Sequence, residues 1–272
     1  MKVVLFCGGL GLRMGETTAR VPKPMIPIGE RPILWHIMRY YSSFGHHEFI
    51  ICLGYKAEVV KEYFLNYQEA LTNDFVLADG GRRVELLSTD IQDWSITFVN
   101  TGLRTSIGQR LKAVQEYIGT DELFLTNYGD TLTDASIPDM VEMLTATDKT
   151  ALFIAARPTY NFHVAELAED NSVTEIHDVT KADMWINGGY FVFRREIFDY
   201  IEEGDDLVEE PFRRLIAENK LMAYPYDGFW AAMDTLKEKQ HLDSLLESGN
   251  APWARWERNG GKAGAEAVRG QD

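Results

Sequence analysis

The sequence has little cysteine and no long apolar run. Its two cysteines, Cys7 and Cys52, both stand inside short apolar runs. This pattern argues against a disulfide framework and favours buried thiols in a reducing compartment. No apolar run is long enough to span a bilayer, and none has the form of a signal-peptide core. We therefore expect a cytoplasmic protein.

Basic residues are also scarce. The 272 residues include 27 Lys and Arg against 42 Asp and Glu, a formal net charge of -15. Nucleic acids and anionic membranes attract clustered Lys and Arg, so we expect neither as a partner. An anionic ligand must then meet a local basic pocket. The six histidines lack metal-ligand spacing, and the adjacent His46 and His47 are expected in a solvated turn.

Short apolar runs alternate with helical patterns in the first half of the chain. The apolar runs are KVVLF, EFIICLGY, SITFVN and DELFLTNYGD, and the helical patterns are RPILWHIMRYYSSFG, KAEVVKEYFLNYQ and GQRLKAVQEYI. This alternation predicts an α/β fold with a doubly wound, mostly parallel sheet covered on both faces. In such folds ligands bind at the carboxyl ends of the strands.

One segment interrupts the alternation. The stretch DFVLADGGRRVELLST predicts an inserted β-hairpin with a Gly-Gly turn. A lid, an oligomer contact and a plain surface insertion all remain open as its role. From TALFIAARP onward the pattern is mixed, and the last residues, NGGKAGAEAVRGQD, lack apolar periodicity and predict a disordered tail.

A glycine-rich loop follows the first apolar run. Gly8, Gly9 and Gly11 allow backbone N–H groups to approach phosphate oxygens closely. The loop lacks the Lys-Ser or Lys-Thr pair of a Walker loop, and Met14 stands where a dinucleotide fingerprint needs its third glycine. A Rossmann cofactor site is therefore the weaker interpretation.

Two cations accompany the loop. Arg13 lies within it, and Lys23 stands between Pro22 and Pro24, which stiffen the backbone around it. Two cations beside a phosphate-type loop suit a triphosphate. The alternative is a solvated turn with surface cations.

Two carboxylates are candidate ligands of Mg²⁺, which prefers one or two carboxylates together with phosphate oxygens. Asp130 follows an apolar strand and a glycine, as expected of a metal ligand, and Asp134 is the better candidate for the cap of the next helix. Asp234, in GFWAAMDTLKE, fits a metal ligand and the N-cap of the last helix equally well.

Several longer motifs together resemble one enzyme family. They are GGLGLRMGE, VPKPMIPIGERPILWHIM, ICLGYKAEVVKEYF, NTGLRTSIGQRLKAV, NYGD, WINGGYFVF and GFWAAMDTLKEKQHLDSLLESGNAPWARW. This chain resembles the sugar nucleotidyltransferases, and among them the glucose-1-phosphate cytidylyltransferases, also called CDP-glucose pyrophosphorylases. The resemblance extends from Met1 to about Trp256.

The resemblance implies a Mg²⁺-dependent transfer of a cytidylyl group from CTP to a sugar 1-phosphate, with release of pyrophosphate and no protein nucleophile. A different sugar phosphate or nucleoside triphosphate, or a catalytically weak regulatory subunit, is the alternative. The family also suggests a homo-oligomer. A single domain over residues 1–256 is expected, with a nucleotide-binding half at about 1–135, a sugar-binding half at about 136–256 and the tail at 257–272.

The resemblance also assigns roles to residues. Gly8, Gly9, Gly11, Arg13 and Lys23 match the family's triphosphate site, and Asp130 and Asp234 match its Mg²⁺ pair. Thr101 and Gly102 match the base pocket, Arg110 matches an arginine near the nucleotide, and Asn187 and Gly188 match the sugar-facing strand. The structural alternatives are a turn at Thr101-Gly102, a solvated helix charge at Arg110 and a β-bulge at Gly188.

The sequence departs from the family at three places. Leu12 replaces a threonine, and His163 stands where the family tends to have glycine, either in the sugar pocket or on a surface loop. Val179 stands where the family has a lysine that contacts the sugar phosphate, and Lys181 is the candidate substitute two residues on. A changed acceptor or a loss of catalysis would also account for a valine at this position.

Overall fold

The computed structural model describes residues 1–9, 21–159, 163–179 and 183–256. In chain order the strands are β1 (Val3–Cys7), β2 (Pro27–Ile28), β3 (Arg31–Pro32), β4 (Glu48–Leu53), β5 (Phe75–Ala78), β6 (Arg83–Leu86), β7 (Ser95–Asn100), β8 (Leu123–Asn127), β9 (Thr131–Thr133), β10 (Ala151–Ala156), β11 (His163–Leu167), β12 (Val173–Asp178), β13 (Ile186–Arg194), β14 (Leu221–Tyr226) and β15 (Trp230–Ala232). The α-helices are α1 (Ile33–Ser42), α2 (Ala57–Leu65), α3 (Ile107–Ala113), α4 (Gln115–Ile118), α5 (Ile137–Thr145), α6 (Glu210–Ala217) and α7 (Leu236–Glu247).

Seven of these strands form the central sheet, in the order β14-β10-β13-β8-β1-β4-β7. Strand β13 runs antiparallel to both neighbours, and the other pairings in this sheet are parallel. The prediction of a mostly parallel α/β sheet is therefore confirmed. Strand β9, which pairs only with β15 outside this sheet, was not predicted because three residues carry too little pattern.

Both faces of the sheet are buried. Val3 and Leu5 belong to one apolar cluster, whereas Val4 and Phe6 belong to another. Because successive strand residues point to opposite faces, this division means that helices cover the sheet on both sides. The carboxyl ends of β1, β4, β7 and β8 therefore lie at one edge, which is the edge where ligands of such sheets bind.

The inserted hairpin is confirmed as β5 and β6, which pair antiparallel from Phe75 opposite Leu86 to Ala78 opposite Arg83. A second hairpin, formed by β11 and β12, follows β10. The helical pattern GQRLKAVQEYI forms two helices rather than one, because the chain leaves helical geometry at Val114.

Both cysteines are free and buried, as predicted. No helix among the described residues is long and apolar enough to cross a membrane. The prediction for the two adjacent histidines is partly wrong, because both are half-buried. The Nδ1 atom of His47 lies 2.9 Å from a carboxylate oxygen of Asp93, and burial lowers the pKa of His46 to about 4.

Candidate active site

Three charged side chains that are far apart in the sequence meet at the carboxyl edge of the sheet. The Nζ atom of Lys23 lies 2.6 Å from Oδ2 of Asp130 and 2.5 Å from Oδ1 of Asp234. Only 12% of the Lys23 side chain is exposed. Burial alone would lower the pKa of Lys23, but the two carboxylates outweigh it and raise this pKa above its ordinary value. The lysine therefore remains charged.

The turn after β8 places Asp130. Gly129 adopts a φ of +79°, and a Cβ atom there would lie 2.8 Å from the carbonyl oxygen of Phe6. Only glycine combines that dihedral angle with so close an approach to β1. The carbonyl oxygen of Asp130 then accepts a hydrogen bond from the backbone N–H of Met233 at 2.9 Å. This bond brings Asp234 beside Asp130.

The start of α7 places Asp234. Thr235 is the N-cap of this helix and forms a capping box with Glu238. An Oε2 atom of Glu238 accepts hydrogen bonds from the backbone N–H groups of both Asp234 and Thr235, each at 2.7 Å. The alternative of Asp234 as the helix cap is therefore wrong, and its carboxylate is directed to Lys23.

The expected capping role of Asp134 is also wrong. Ser136 is the N-cap of α5, where its side chain accepts from the N–H of Asp139. Asp134 instead accepts hydrogen bonds from the hydroxyl of Tyr226 at 2.5 Å and from the backbone of Phe229 at 2.9 Å. This carboxylate anchors the segment that leads into β15.

The two carboxylates fit a divalent cation. Both approach the ammonium of Lys23, so they converge on one positive charge. Carboxylate oxygens are the ligands that Mg²⁺ prefers, in combination with phosphate oxygens. The chemistry of Asp130 and Asp234 therefore fits one shared Mg²⁺ ion, and the assignment of both as its ligands stays a prediction.

The glycine-rich loop is described only at its start. Gly8 is buried, whereas Gly9 is exposed with open space where a Cβ atom would stand. Gly11 and Arg13, together with Leu12, lie outside the described residues. The role of the loop in holding a triphosphate therefore stays a prediction.

Arg110 binds residues at three strand ends. Its guanidinium donates to the carbonyl oxygens of Gly8 at 3.1 Å and Leu53 at 3.2 Å and to the hydroxyl of Thr101 at 2.7 Å. Arg110 is only 4% exposed, so the alternative of a solvated helix charge is wrong. This arginine fixes the loops that follow β1, β4 and β7 relative to one another.

Thr101 and Gly102 form a tight turn after β7, which supports the structural alternative for them. The backbone N–H and the hydroxyl of Thr101 both donate to the carbonyl oxygen of Leu53 at 2.9 Å. Gly102 has a φ of +96°.

A Cβ atom at Gly54 would lie 2.6 Å from the carbonyl oxygen of Gly8 and 2.7 Å from the carbonyl oxygen of Gly102. The role of Gly54 in this close approach was missed, because one glycine in the stretch LGYK carries no pattern of its own.

The two residues expected to face the sugar lie at the start of β13. Asn187 donates to the hydroxyl of Tyr128 at 2.9 Å and accepts from the N–H of Gly189. The register between β10 and β13 shifts at this point, so the bulge alternative for Gly188 is confirmed. A Cβ atom at Gly188 would lie 2.9 Å from Nε1 of Trp230, so this indole fills the space beside it.

Val179 and Lys181 are the two residues near the position of the family's lysine, and the structure describes only Val179. Val179 is 1% exposed, which makes it a core side chain rather than a surface beside a ligand. The assignment of Val179 to the sugar-phosphate site stays a prediction. Lys181 lies outside the described residues. His163 is an exposed strand residue opposite Asp178, not a loop residue.

A cavity of about 710 Å³ lies along β15 and the start of α7, and it was not predicted from the sequence. It is lined by Thr159, Gly228, Phe229, Trp230, Ala231, Ala232, Thr235, Lys237, Glu238 and His241. Aromatic rings, hydroxyls and a cation around one opening suit a polar ligand with an apolar face. The motif GFWAAMDTLKE contains most of these residues, but only the pairing of β15 with β9 places them around a cavity.

A second cluster of potential metal ligands lies on the other hairpin. Glu166 stands opposite Glu175, and His177 follows on the same face of β12. Their ligand atoms lie within 4.8 Å of one another. Spacing along the chain does not reveal this group, because strand pairing assembles it. The two glutamates are exposed and His177 is half-buried, and the group lies apart in sequence from the Lys23 cluster.

Comparison with known proteins adds to this geometry. The family model for nucleotidyl transferases matches residues 2–238. The chain is 40% identical over 260 residues to the glucose-1-phosphate cytidylyltransferase of Salmonella typhi, covering 94% of this chain and 100% of that protein. It is 26% identical over 245 residues to the D-glycero-alpha-D-manno-heptose 1-phosphate guanylyltransferase of Campylobacter jejuni, covering 89% of this chain and 98% of that protein. Among solved structures, HddC from Yersinia pseudotuberculosis matches with a TM-score of 0.61 at 17% identity, over 90% of this chain and 99% of that one.

Proposed function

The chain belongs to the nucleotidyl transferase family, and from this premise we propose that it transfers a cytidylyl group from CTP to glucose 1-phosphate, forming CDP-glucose and pyrophosphate. The family membership establishes a sugar-phosphate nucleotidyltransferase. The relative from Salmonella typhi supports the choice of base and sugar. The observation that carries the proposal is the meeting of Lys23 with Asp130 and Asp234 at the carboxyl edge of the sheet.

In this reaction an oxygen of the sugar phosphate attacks the α-phosphorus of CTP, and pyrophosphate leaves from the opposite side. No protein nucleophile is needed, so catalysis consists of positioning and charge neutralisation. Asp130 and Asp234 would hold a Mg²⁺ ion, which would supply positive charge to the phosphate oxygens. Lys23 supplies a further cation, and we assign the same role to Arg13 in the glycine-rich loop.

The other residues hold the two substrates. Gly8, Gly9 and Gly11 give the triphosphate close access to backbone N–H groups, while Arg110 keeps the turn at Thr101 and Gly102 in place beside the base. For the sugar, we assign Asn187 at the start of β13 and the cavity along β15. The ring of Trp230 offers an apolar wall there, and Lys181 is the candidate cation for the sugar phosphate.

We also propose a cytoplasmic location and assembly of the chain into a homo-oligomer. Both rest on the sequence analysis and on the family resemblance. Light scattering after size-exclusion chromatography measures the assembly directly, and a mass equal to one chain would contradict it.

A screen of pyrophosphate release tests the proposed reaction. Each of CTP, UTP, ATP and dTTP is incubated with Mg²⁺ and one member of a panel of sugar 1-phosphates. We expect the highest kcat/KM for CTP with glucose 1-phosphate. A higher kcat/KM for another pair would replace the substrates but keep the chemistry. Binding of CTP without pyrophosphate release from any pair would identify a catalytically weak binding subunit instead.

A further inference from the structure

The inserted hairpin carries an apolar face. Phe75 and Leu77 alternate along β5, and their partners on β6 are Leu86 and Val84. Directly opposed residues and residues two apart share one face of a hairpin, so these four side chains lie together. We call them the hairpin face. Phe75 is 41% exposed, Leu77 60%, Leu86 38% and Val84 49%.

The described body of the chain, residues 1–9, 21–159, 163–179 and 183–256, does not cover the hairpin face. None of its four side chains belongs to the apolar clusters of the described residues. The opposite face carries Val76, Ala78, Arg83 and Glu85, and the last two form an ion pair at 3.1 Å. A two-stranded hairpin without a packing partner is marginal in water. An exposed apolar face of this kind is typical of an interaction site.

The tail of the same chain is a poor occupant. Residues 257–272 contain one large apolar side chain, Val268, which cannot cover four. A nucleic acid or an anionic membrane is also unsuitable, because the chain carries a net charge of -15.

The charges beside the hairpin face favour a second copy of the chain. Arg82 stands at the tip of the hairpin and Asp74 at its foot, and neither makes an ion pair within the described parts of the chain. When two hairpins pack in opposite directions, each tip lies over the other foot. Arg82 of the partner subunit then lies beside Asp74, and the arrangement repeats by symmetry.

We propose that the hairpin face binds the same face of a second copy about a two-fold axis, with the two hairpins stacked at about 10 Å, the usual spacing of packed sheets. This inference rests on the homo-oligomer proposed above and is independent of the nucleotidyl transfer. It assigns the inserted hairpin as an oligomer contact.

Cross-linking tests the geometry. The native cysteines are 1% and 0% exposed, so a cysteine introduced on the hairpin is the only exposed thiol among the described residues. Leu77→Cys lies on the hairpin face, and Val76→Cys, on the opposite face, is the matched control. We expect a short bifunctional maleimide to join two chains of Leu77→Cys and to leave Val76→Cys uncoupled. Equal cross-linking of both variants, or of neither, would overturn the proposal.

Mass measurement gives a second readout. By light scattering, Leu77→Asp is expected to halve the mass, or to reduce it further where the chain forms larger assemblies, and Val76→Asp to leave it unchanged. Arg82→Glu is expected to weaken assembly at least tenfold, and Asp74→Arg in the same chain to restore it. A native chain with the mass of a monomer would overturn the homo-oligomer and the interface together. An oligomer that survives Leu77→Asp would overturn only the hairpin interface.

Discussion

At the scale of single residues, the contact of Lys23 with Asp130 and Asp234 matters most for the proposed catalysis. We expect Asp130→Asn or Asp234→Asn to lower kcat by about a hundredfold or more, because each removes one charge from the transition-state environment. Steady-state rates at saturating Mg²⁺ measure this loss. Asp148→Asn is the control, since this carboxylate is 80% exposed and pairs only with Lys220 among the described side chains. A variant at either site position with a near-native rate would contradict the metal assignment.

The burial of Val179 changes what a lysine there would do. At 1% exposure, the position cannot accept an ammonium without burying a charge. We expect Val179→Lys to lower the free energy of unfolding by at least about 2 kcal/mol and to leave KM for the sugar phosphate undiminished. Urea unfolding and steady-state kinetics measure both effects.

Val173→Lys is the matched control for this variant, because Val173 begins the strand that Val179 follows and is 61% exposed. We expect it to change neither stability nor KM. A stable Val179→Lys protein with a lower KM would instead place position 179 beside the sugar phosphate.

Sequence reasoning reached some of these residues and not others for a physical reason. Asp130 and Lys23 were predicted because a strand end and a proline-flanked cation are local signals. The contacts of Arg110 with Gly8 and Leu53 were not, because they join residues 57 or more positions apart. Burial of Val179 likewise depends on tertiary packing that its neighbours in sequence do not encode.

At the scale of elements, the capping box of α7 connects stability to the site. We expect Thr235→Ala to lower the free energy of unfolding by about 1 kcal/mol, because the N–H of Glu238 loses its acceptor. The Mg²⁺ concentration for half-maximal rate should also rise, since Asp234 precedes the weakened helix end. Urea unfolding and a Mg²⁺ titration measure the two effects.

Thr235→Ser is the control for this change, since a serine hydroxyl retains the cap. Thr235→Ser should keep both the free energy of unfolding and the Mg²⁺ concentration for half-maximal rate at their native values. Loss of stability with an unaltered Mg²⁺ requirement would show that the helix end does not position Asp234.

The elements themselves were largely predictable. Runs such as EFIICLGY and RPILWHIMRYYSSFG became β4 and α1 because their apolar patterns fit one structure only. The short strands β2, β3, β9 and β15 have two or three residues, too few to show a period. The second hairpin was not predicted, because of its two strands only β12, in the stretch SVTEIHDV, shows a strand-like run.

At the scale of the whole molecule, a buried histidine makes stability depend on pH. The Nε2 atom of His36 lies 3.0 Å from the carbonyl oxygen of Ile28, and Nδ1 accepts from the indole of Trp253 at 3.3 Å. Burial lowers the pKa of His36 from 6.5 to about 4. Between these values the unfolded chain binds a proton that the folded chain does not, so stability is lost as the pH falls.

We expect this group to remove about 2 kcal/mol of unfolding free energy between pH 7 and pH 5. Urea unfolding of the native chain and of His36→Asn at both pH values measures the contribution as a difference in slope. His46, whose pKa also lies at about 4, remains in both proteins and cancels. Equal slopes would contradict the assignment.

The position of Lys23 between two carboxylates affects the stability of the folded protein when no metal ion is bound. Two facing carboxylates without a cation repel each other, and one of them takes up a proton. Here the chain supplies its own counter-ion, so the folded state does not depend on a dissolved metal. A chelator should therefore abolish pyrophosphate release while leaving the protein folded at the assay temperature, and added Mg²⁺ should restore the rate without a refolding step. Unfolding at the assay temperature on chelation would contradict this. We then expect the availability of Mg²⁺ to change the rate of this protein and not its folded state.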